Sequence, residues 1–456
     1  MSAQFKRKRP VSRRQVLRTG AAALGGSAAF LTGTAAPDAR DTQAPAVLAG
    51  TQTGRAFRGL VRHSNTLDVQ ELRLRPVDPR QVVIRSTAVA PCYTIVRGAL
   101  GTNTISRAEV PNHCGSGVVE AVGAMVKRVQ VGDRVVVAGT SQCGQCYQCL
   151  HGRPDYCQFT FFSNAQGVEP FPPFAEMRDG TPVYAQAGIG GMSEIMTAFE
   201  EYCVPVFTDL PAAELTLLGD QLASGFAAGH ADMHFEPGSD VVVFGCGPVG
   251  LGAIQAGRVT GAGQVIAIDP IKYRREFALK MGATIALDPV AEGEGLVERV
   301  RELCRGPNDR RFAGGVSWGR AGNAVMARGA DFVVEAAGLQ AFPPKVEAQP
   351  DPTNVKTVLQ AWDCTRMGGH VMLMGFTMLA VPFPGLSLAL LGRTIHPGQQ
   401  GGLHILRDIP RYVKLIEKGK IDAKSVITKR YTLADSRQAV QDTADRTIIT
   451  GVIEFS

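Results

Sequence analysis

Nothing acidic precedes Asp38, whereas Lys6, Arg7, Lys8, Arg9, Arg13, Arg14 and Arg18 all do. These seven bases equal the formal net charge of +7, so the chain from Pro37 to Ser456 is formally neutral. The alkaline character belongs to the first stretch alone. It gives no electrostatic reason to expect nucleic acid or an anionic membrane surface as a partner. Long apolar runs are also missing. Ala21 to Leu31 is diluted by Gly25, Gly26 and Ser27, and is too short and too weakly apolar for stable membrane insertion. No internal repeat of solenoid length occurs, which argues against a stacked-repeat architecture. What is present is 456 residues with 45% apolar content, enough for two moderate cores.

The basic start has an order of its own. Ser12-Arg13-Arg14-Gln15-Val16-Leu17-Arg18 resembles the twin-arginine export signal of bacteria, S-R-R-x-F-L-K, with Val in place of Phe. The mild apolar segment follows, and then small residues at Thr34, Ala35 and Ala36 that suit a signal peptidase. Ala44-Pro45-Ala46 is a poorer second choice. Residues 1–36 are therefore read as a signal peptide and 37–58 as a flexible lead-in. The expectation is export to the periplasm or beyond, with the twin-arginine translocase as a partner. The rival reading is a disordered basic tail or a misplaced start, which would leave the protein cytoplasmic.

Val241 to Asp269 reads VVVFGCGPVGLGAIQAGRVTGAGQVIAID: an apolar run, a glycine turn, a helix-compatible stretch, a second apolar run and an acid. In the turn Gly245-Cys246-Gly247-Pro248-Val249-Gly250 the glycines have the G-x-G-x-x-G spacing. The first permits a tight turn, the second lets a pyrophosphate approach bare backbone, and the third lets helix and strand pack closely. The helix start then offers unpaired N–H groups to the phosphates. Asp269, nineteen residues after Gly250, closes the second run, where a carboxylate can bind both ribose hydroxyls and repel a 2′-phosphate. NAD is thus expected rather than NADP.

From Gly59 to Pro205 the chain is rich in short strand candidates such as 81–86, 117–122 and 131–137, which suggests an antiparallel, barrel-like domain. Within it Cys143, Cys146, Cys149 and Cys157 form C-x2-C-x2-C-x7-C. Four thiolates so close in a loop containing Gly144, Gly152 and Pro154 can close a tetrahedral zinc site. Disulfides are the rival, and an iron–sulfur cluster a third reading. Neighbouring C-x2-C cysteines pair poorly without strain, and zinc bound during folding would mask all four thiols.

With the cysteine loop upstream and the glycine turn downstream, the chain resembles the zinc-dependent medium-chain alcohol dehydrogenases from about Arg58 to Phe455. Gly132-Asp133-Arg134-Val135, Val334-Glu335-Ala336-Ala337-Gly338 and Gly368-Gly369-His370-Val371 agree, and Asp445-Arg446-Thr447-Ile448-Ile449 is similar to that family's C-terminal strand. The resemblance implies an α/β fold: a GroES-like β-rich catalytic domain (59–221 and 399–456) and a Rossmann doubly wound parallel-sheet domain (222–398). Strand candidates for the latter are 241–245, 265–269, 284–288, 332–336, 370–376 and 394–397, with a returning helix at 408–419. Residues 305–328 and 342–355 read as insertions that shape the substrate mouth, make an oligomer contact or merely face solvent.

By resemblance the catalytic zinc ligands are Cys92 in Cys92-Tyr93-Thr94, His113 in Asn112-His113-Cys114-Gly115-Ser116-Gly117, and Asp220 in Gly219-Asp220-Gln221. One thiolate, one imidazole and one carboxylate leave a fourth position for water or substrate. Singly, Cys92 reads equally as core, His113 as a loop residue and Asp220 as a helix cap. Thr94 sits where the family places the hydroxyl that relays the substrate proton, and Arg446 where a residue contacts the pyrophosphate. Two departures stand out. Cys114 replaces a glutamate that tunes the metal, and so either reaches the zinc or merely packs. Arg97 replaces the histidine that often passes the proton outward. The resemblance implies two zincs and one NAD per chain, a homo-oligomer (dimer or tetramer), and oxidation of an alcohol or polyol to aldehyde or ketone. The alternatives are a formaldehyde- or thiol-adduct-oxidising relative, and an exported zinc- and nucleotide-binding protein without catalysis.

Overall fold

A computed structural model describes residues 52–101, 105–159, 171–305 and 328–456. The expected signal peptide, most of the expected lead-in and nearly all of the insertion read at 305–328 lie outside the described residues.

The first part of the chain carries β1 (Ala56–Ser64), β2 (Thr66–Leu74), β3 (Gln81–Val89), β4 (Ile105–Val110), β5 (Gly115–Val122) and β6 (Arg134–Val137). It continues with β7 (Ala175–Met177), β8 (Pro182–Ala185), β9 (Ile195–Phe199) and β10 (Cys203–Pro205). Strands β1-β2-β7-β8-β4 close a barrel, and β10-β6-β5-β3 continue into a second sheet with β9 alongside β3. Phe57, Leu60 and Val61 of β1 and Leu67, Leu72 and Leu74 of β2 are buried in one apolar core. The barrel is not wholly antiparallel as expected, because β4 and β8 pair in parallel.

The middle part is a six-stranded sheet in the order β13-β12-β11-β14-β15-β16. Its strands are β11 (Asp240–Phe244), β12 (Gln264–Ile268), β13 (Ile285–Leu287), β14 (Ala330–Glu335), β15 (Thr365–Leu373) and β16 (Thr394–Pro397). Every neighbouring pair is parallel. Val241, Val242 and Val243 are all fully buried, as a strand covered on both faces requires. Strand order reverses between β11 and β14, so the switch point lies at the end of β11.

Helix α1 (Tyr93–Leu100) follows β3, α2 (Gln221–Ala227) leads into the parallel sheet, and α3 (Pro248–Thr260) springs from the turn after β11. All of α2 is buried, and its Leu222 and Phe226 share one core with Val243 and Ile254 of the parallel sheet and its covering helix. After α4 (Ile405–Glu417) the chain returns through β17 (Ile427–Tyr431) and β18 (Thr450–Glu454), and β18 pairs with β3. The segment 445–449 is therefore not the C-terminal strand. Its amides cap the preceding helix instead, with Arg446 N–H on the Thr443 carbonyl and Thr447 N–H on that of Asp442. Arg446 takes φ +56° there, and the strand starts only at Thr450. Among the described residues no helix is long and apolar enough to cross a membrane.

Candidate active site

A cavity of about 720 Å³ lies between the barrel side and the carboxyl ends of the parallel strands, and Cys92, Thr94, His113 and Asp220 form part of one wall. Cys92 ends the loop after β3, directly before α1. His113 sits in the turn between β4 and β5, and Asp220 immediately precedes α2. Asn112 holds the first two together. With φ +78° it donates from Nδ2 to the Ala90 and Cys114 carbonyls, and its Oδ1 accepts from the Cys92 amide.

One potential ligand atom from each of Cys92, His113 and Asp220 lies within 4.8 Å of the others. His113 Nε2 is 3.2 Å from Asp220 Oδ2. Burial opposes charge on His113, yet Asp220 and Cys92 beside it outweigh that and push its pKa well above the usual value. Burial likewise works against the Asp220 carboxylate, but His113 brings its pKa below normal. A thiol, an imidazole and a carboxylate converging in a buried corner form a donor set whose S, N and O chemistry fits zinc with an open position. Cys114 is not part of it. It is buried, donates weakly toward the Ala90 carbonyl at 4.0 Å, and has its pKa raised well above normal by burial. It packs.

The hydroxyl of Thr94 points at Cys92 Sγ, 3.1 Å away, and Arg97 lies one helical turn further along α1, also lining the cavity.

In the second cysteine group, Cys143 Sγ lies 4.0 Å from Cys149 Sγ, and Cys146 Sγ 4.0 Å from Cys157 Sγ. A disulfide needs about 2.05 Å. Sulfurs bound at ~2.3 Å to a tetrahedral zinc sit roughly 3.8 Å apart, so this spacing fits a shared metal. All four cysteines are free thiols here. The amides of Cys149 and Gln158 donate to Cys146 Sγ; burial pushes that thiol's pKa up, but these bonds outweigh it and bring the pKa down to about 7.

On the opposite wall, Gly245, Gly247, Pro248 and Val249 line the cavity. Gly245 has φ +87°, and a Cβ on Gly250 would fall 1.8 Å from the Gly245 carbonyl oxygen, so helix and strand could not approach as they do. Asp269 is nearly buried; its Oδ2 accepts from the Cys246 amide at 2.7 Å and its Oδ1 from that of Ile271 at 2.8 Å. Arg446 lies over the Tyr93 ring at 5.0 Å and donates to Gln349 Oε1 at 3.1 Å. Of the cations near Asp269, Arg275 is engaged with Asp288 and the Asp269 and Pro270 carbonyls, whereas Arg274 faces the cavity.

Two contributors went unread in the sequence. Gln349 belongs to the second insertion, which is more than surface decoration: Gln349, Pro350 and Asp351 line the cavity and Lys345 pairs with Asp445 at 2.7 Å. Gln400 donates to Asp220 Oδ1 at 3.1 Å. The readable signal for Gln400 was its place, in a Gly-flanked turn just beyond the carboxyl end of the sixth strand, where ligands of such sheets bind.

A GroES-like barrel and sheet joined to a doubly wound parallel sheet, with a glycine turn facing a Cys–His–Asp set, is the architecture of the medium-chain dehydrogenases. Residues 78–208 match the alcohol dehydrogenase GroES-like domain and 248–418 the zinc-binding dehydrogenase domain. The geraniol dehydrogenase of Castellaniella defragrans is 31% identical over 85% of this chain and 94% of its own. The NDMA-dependent alcohol dehydrogenase of Amycolatopsis methanolica is 29% identical over 88% and 99%. The crystal structure of benzyl alcohol dehydrogenase from Acinetobacter calcoaceticus shares the fold, with TM-score 0.72 and 24% identity over 88% of this chain and 100% of that one. The chain belongs to the zinc-containing alcohol dehydrogenase family, and it is an oxidoreductase of that type.

Proposed function

We propose that the protein oxidises an alcohol or polyol to an aldehyde or ketone, or runs the reverse reaction, with zinc and a tightly kept NAD. The carrying observation is that Cys92, His113 and Asp220 converge in the same cavity that the Gly245–Gly250 turn and Asp269 line from the other side. When bound, zinc supplies a Lewis acid that acidifies the alcohol and NAD supplies the hydride acceptor.

The chain's own residues do the rest. Cys92, His113 and Asp220 would hold the metal, and Cys143, Cys146, Cys149 and Cys157 a second, structural one. The Gly247–Gly250 backbone and Arg446 would take the pyrophosphate, and Asp269 the ribose hydroxyls, in preference to a 2′-phosphate. Thr94, both donor and acceptor, takes the alcohol proton. Arg97 cannot accept it, because a guanidinium has no acceptor, so the proton leaves to water at the cavity mouth.

Retention of NAD is supported by the second insertion and by Ala341, the residue just before it. Ala341 donates its amide to Tyr93 Oη, Gln349 accepts from Arg446, and Lys345 pairs with Asp445, which ties the coenzyme side to the catalytic side across the cleft. The Amycolatopsis relative is by its name an alcohol dehydrogenase that depends on NDMA. The motif at 12–18 supports export by the twin-arginine translocase, a route that carries folded proteins. Self-association into a dimer or tetramer is supported by exposed Leu386, Leu388, Leu390 and Ile395 around β16, the last strand of the parallel sheet.

The test is metal analysis of the purified protein together with a panel of primary and secondary alcohols, assayed with an artificial electron acceptor. Two zincs per chain and alcohol-dependent acceptor reduction are expected. No metal, or no turnover with any alcohol or carbonyl compound, would overturn the reading.

A further inference from the structure

The carboxylate this family uses to brace its catalytic metal site is missing beside His113, where Cys114 stands and only packs. A different brace occupies the far side of the site. Gln400 donates from Nε2 to Asp220 Oδ1 at 3.1 Å, while Asp220 Oδ2 faces His113 Nε2 at 3.2 Å. On its other side Gln400 Oε1 lies 3.0 Å from Ser224 Oγ, whose single proton is shared between that oxygen and the Asp220 carbonyl at 2.5 Å.

The orientation of the carboxamide follows from these neighbours. Asp220 is acceptor-only, so it takes the NH₂ end, and the Ser224 hydroxyl serves the oxygen end. The backbone beneath is fixed as well. Gln400 takes φ +49°, and a Cβ on the next residue, Gly401, would fall 2.1 Å from the Ser224 carbonyl oxygen. The turn is thus pressed against α2, the helix that Asp220 precedes. Ligand, amide and hydroxyl form one short closed circuit between the end of the parallel sheet and the metal donor set.

We infer that Gln400, backed by Ser224, is the positioning residue of the Cys92–His113–Asp220 site. By holding Oδ1 it would fix the rotation of the carboxylate and leave Oδ2, the oxygen facing His113, as the one turned toward the metal. A carboxylate that bound through both oxygens would take up the coordination position that the substrate needs. Gln400 contributes no ligand itself. It acts through Asp220, in place of the absent carboxylate next to His113. This inference rests on the zinc reading of that site.

The experiment compares full-length wild type, Gln400→Met and Ser224→Ala. Met keeps the volume of Gln but cannot donate. Zinc content is followed against time in a chelator, the cobalt-substituted proteins are compared by their visible absorption bands, and kcat and KM are measured separately. For Gln400→Met, metal retention at the Cys92–His113–Asp220 site and kcat should each fall about 10- to 100-fold, as for other residues that orient metal ligands. The cobalt bands should shift as the carboxylate rotates, while the four-cysteine zinc and the thermal midpoint stay as in wild type. Ser224→Ala should move the same readouts in the same direction by a smaller factor. Wild-type metal retention, cobalt spectrum and kcat in Gln400→Met would overturn the inference. If that variant does not fold, an unchanged Ser224→Ala overturns it and a shifted one supports it. A wild type holding only the four-cysteine zinc would overturn the zinc reading itself, and the inference with it.

Discussion

Both carboxylate oxygens of Asp269 already accept a backbone amide, one from Cys246 and one from Ile271. Each oxygen keeps a second lone pair, and these are what two ribose hydroxyls would use. The same side chain thus shapes the turn and, on the proposed reading, would select the coenzyme. Asp269→Ser should lower the preference for NAD over NADP by roughly 10- to 100-fold, since a hydrogen bond to a charged group is worth about 1.5–3 kcal/mol. Binding titrations with both nucleotides check this. It should also lower stability by about 1–3 kcal/mol, because at least one buried amide loses its acceptor. Asp220→Ala separates function from folding at the other wall. It should reduce kcat/KM by more than about 100-fold and remove one zinc with the fold retained and the thermal midpoint only modestly lowered, because His113 and Gln400 lose the acceptor they share. Activity near wild type in that variant would show that the carboxylate is not a ligand.

Among the elements, the parallel sheet was the most legible in sequence, because strands covered on both faces read as unbroken apolar runs such as 241–244 and 265–268. The segment 445–449 misled, since a chain that closes a helix and then turns sharply at Arg446 carries the same Thr-Ile-Ile composition as a strand. Asp220 with Gln400, and Arg446 with Gln349, were illegible for a different reason. Their partners lie far away along the chain, and no local pattern records such pairs. The grouping of the four cysteines was legible because they are local in the chain. Cys146→Ser should release the structural zinc and lower stability by on the order of 4 kcal/mol, read by denaturant titration and metal content. Activity at low temperature should survive. For the second insertion, Gln349→Ala removes the acceptor of Arg446 and two donor bonds, to the Gly338 and Asp351 carbonyls. If the loop retains the coenzyme, dissociation should quicken by roughly 5- to 30-fold, the equivalent of one to two kcal/mol. Stopped-flow displacement by excess labelled nucleotide measures it, and an unchanged rate would return the loop to surface decoration.

At the scale of the whole molecule, the start of the chain and the glycine turn at its middle make conflicting demands. If residues 1–36 act as a twin-arginine leader, the protein would leave the cytoplasm already folded, whereas the NAD proposed for the glycine turn and Asp269 is scarce outside it. The conflict disappears if NAD is taken up during folding and stays in the cleft, where it passes its hydride to a second substrate or an external acceptor. Coenzyme enclosed between two walls escapes only when they part, and the contacts of Tyr93 with Ala341 and of Lys345 with Asp445 oppose that parting. The most direct measurement is to purify the full-length protein without added coenzyme, denature it, and assay the nucleotide released per chain. Close to one NAD(H) per chain is expected, with the near-ultraviolet band of reduced nicotinamide growing when an oxidisable alcohol is added to the intact protein and fading with an artificial acceptor. Empty protein that turns over only with added, freely exchanging NAD would contradict the account.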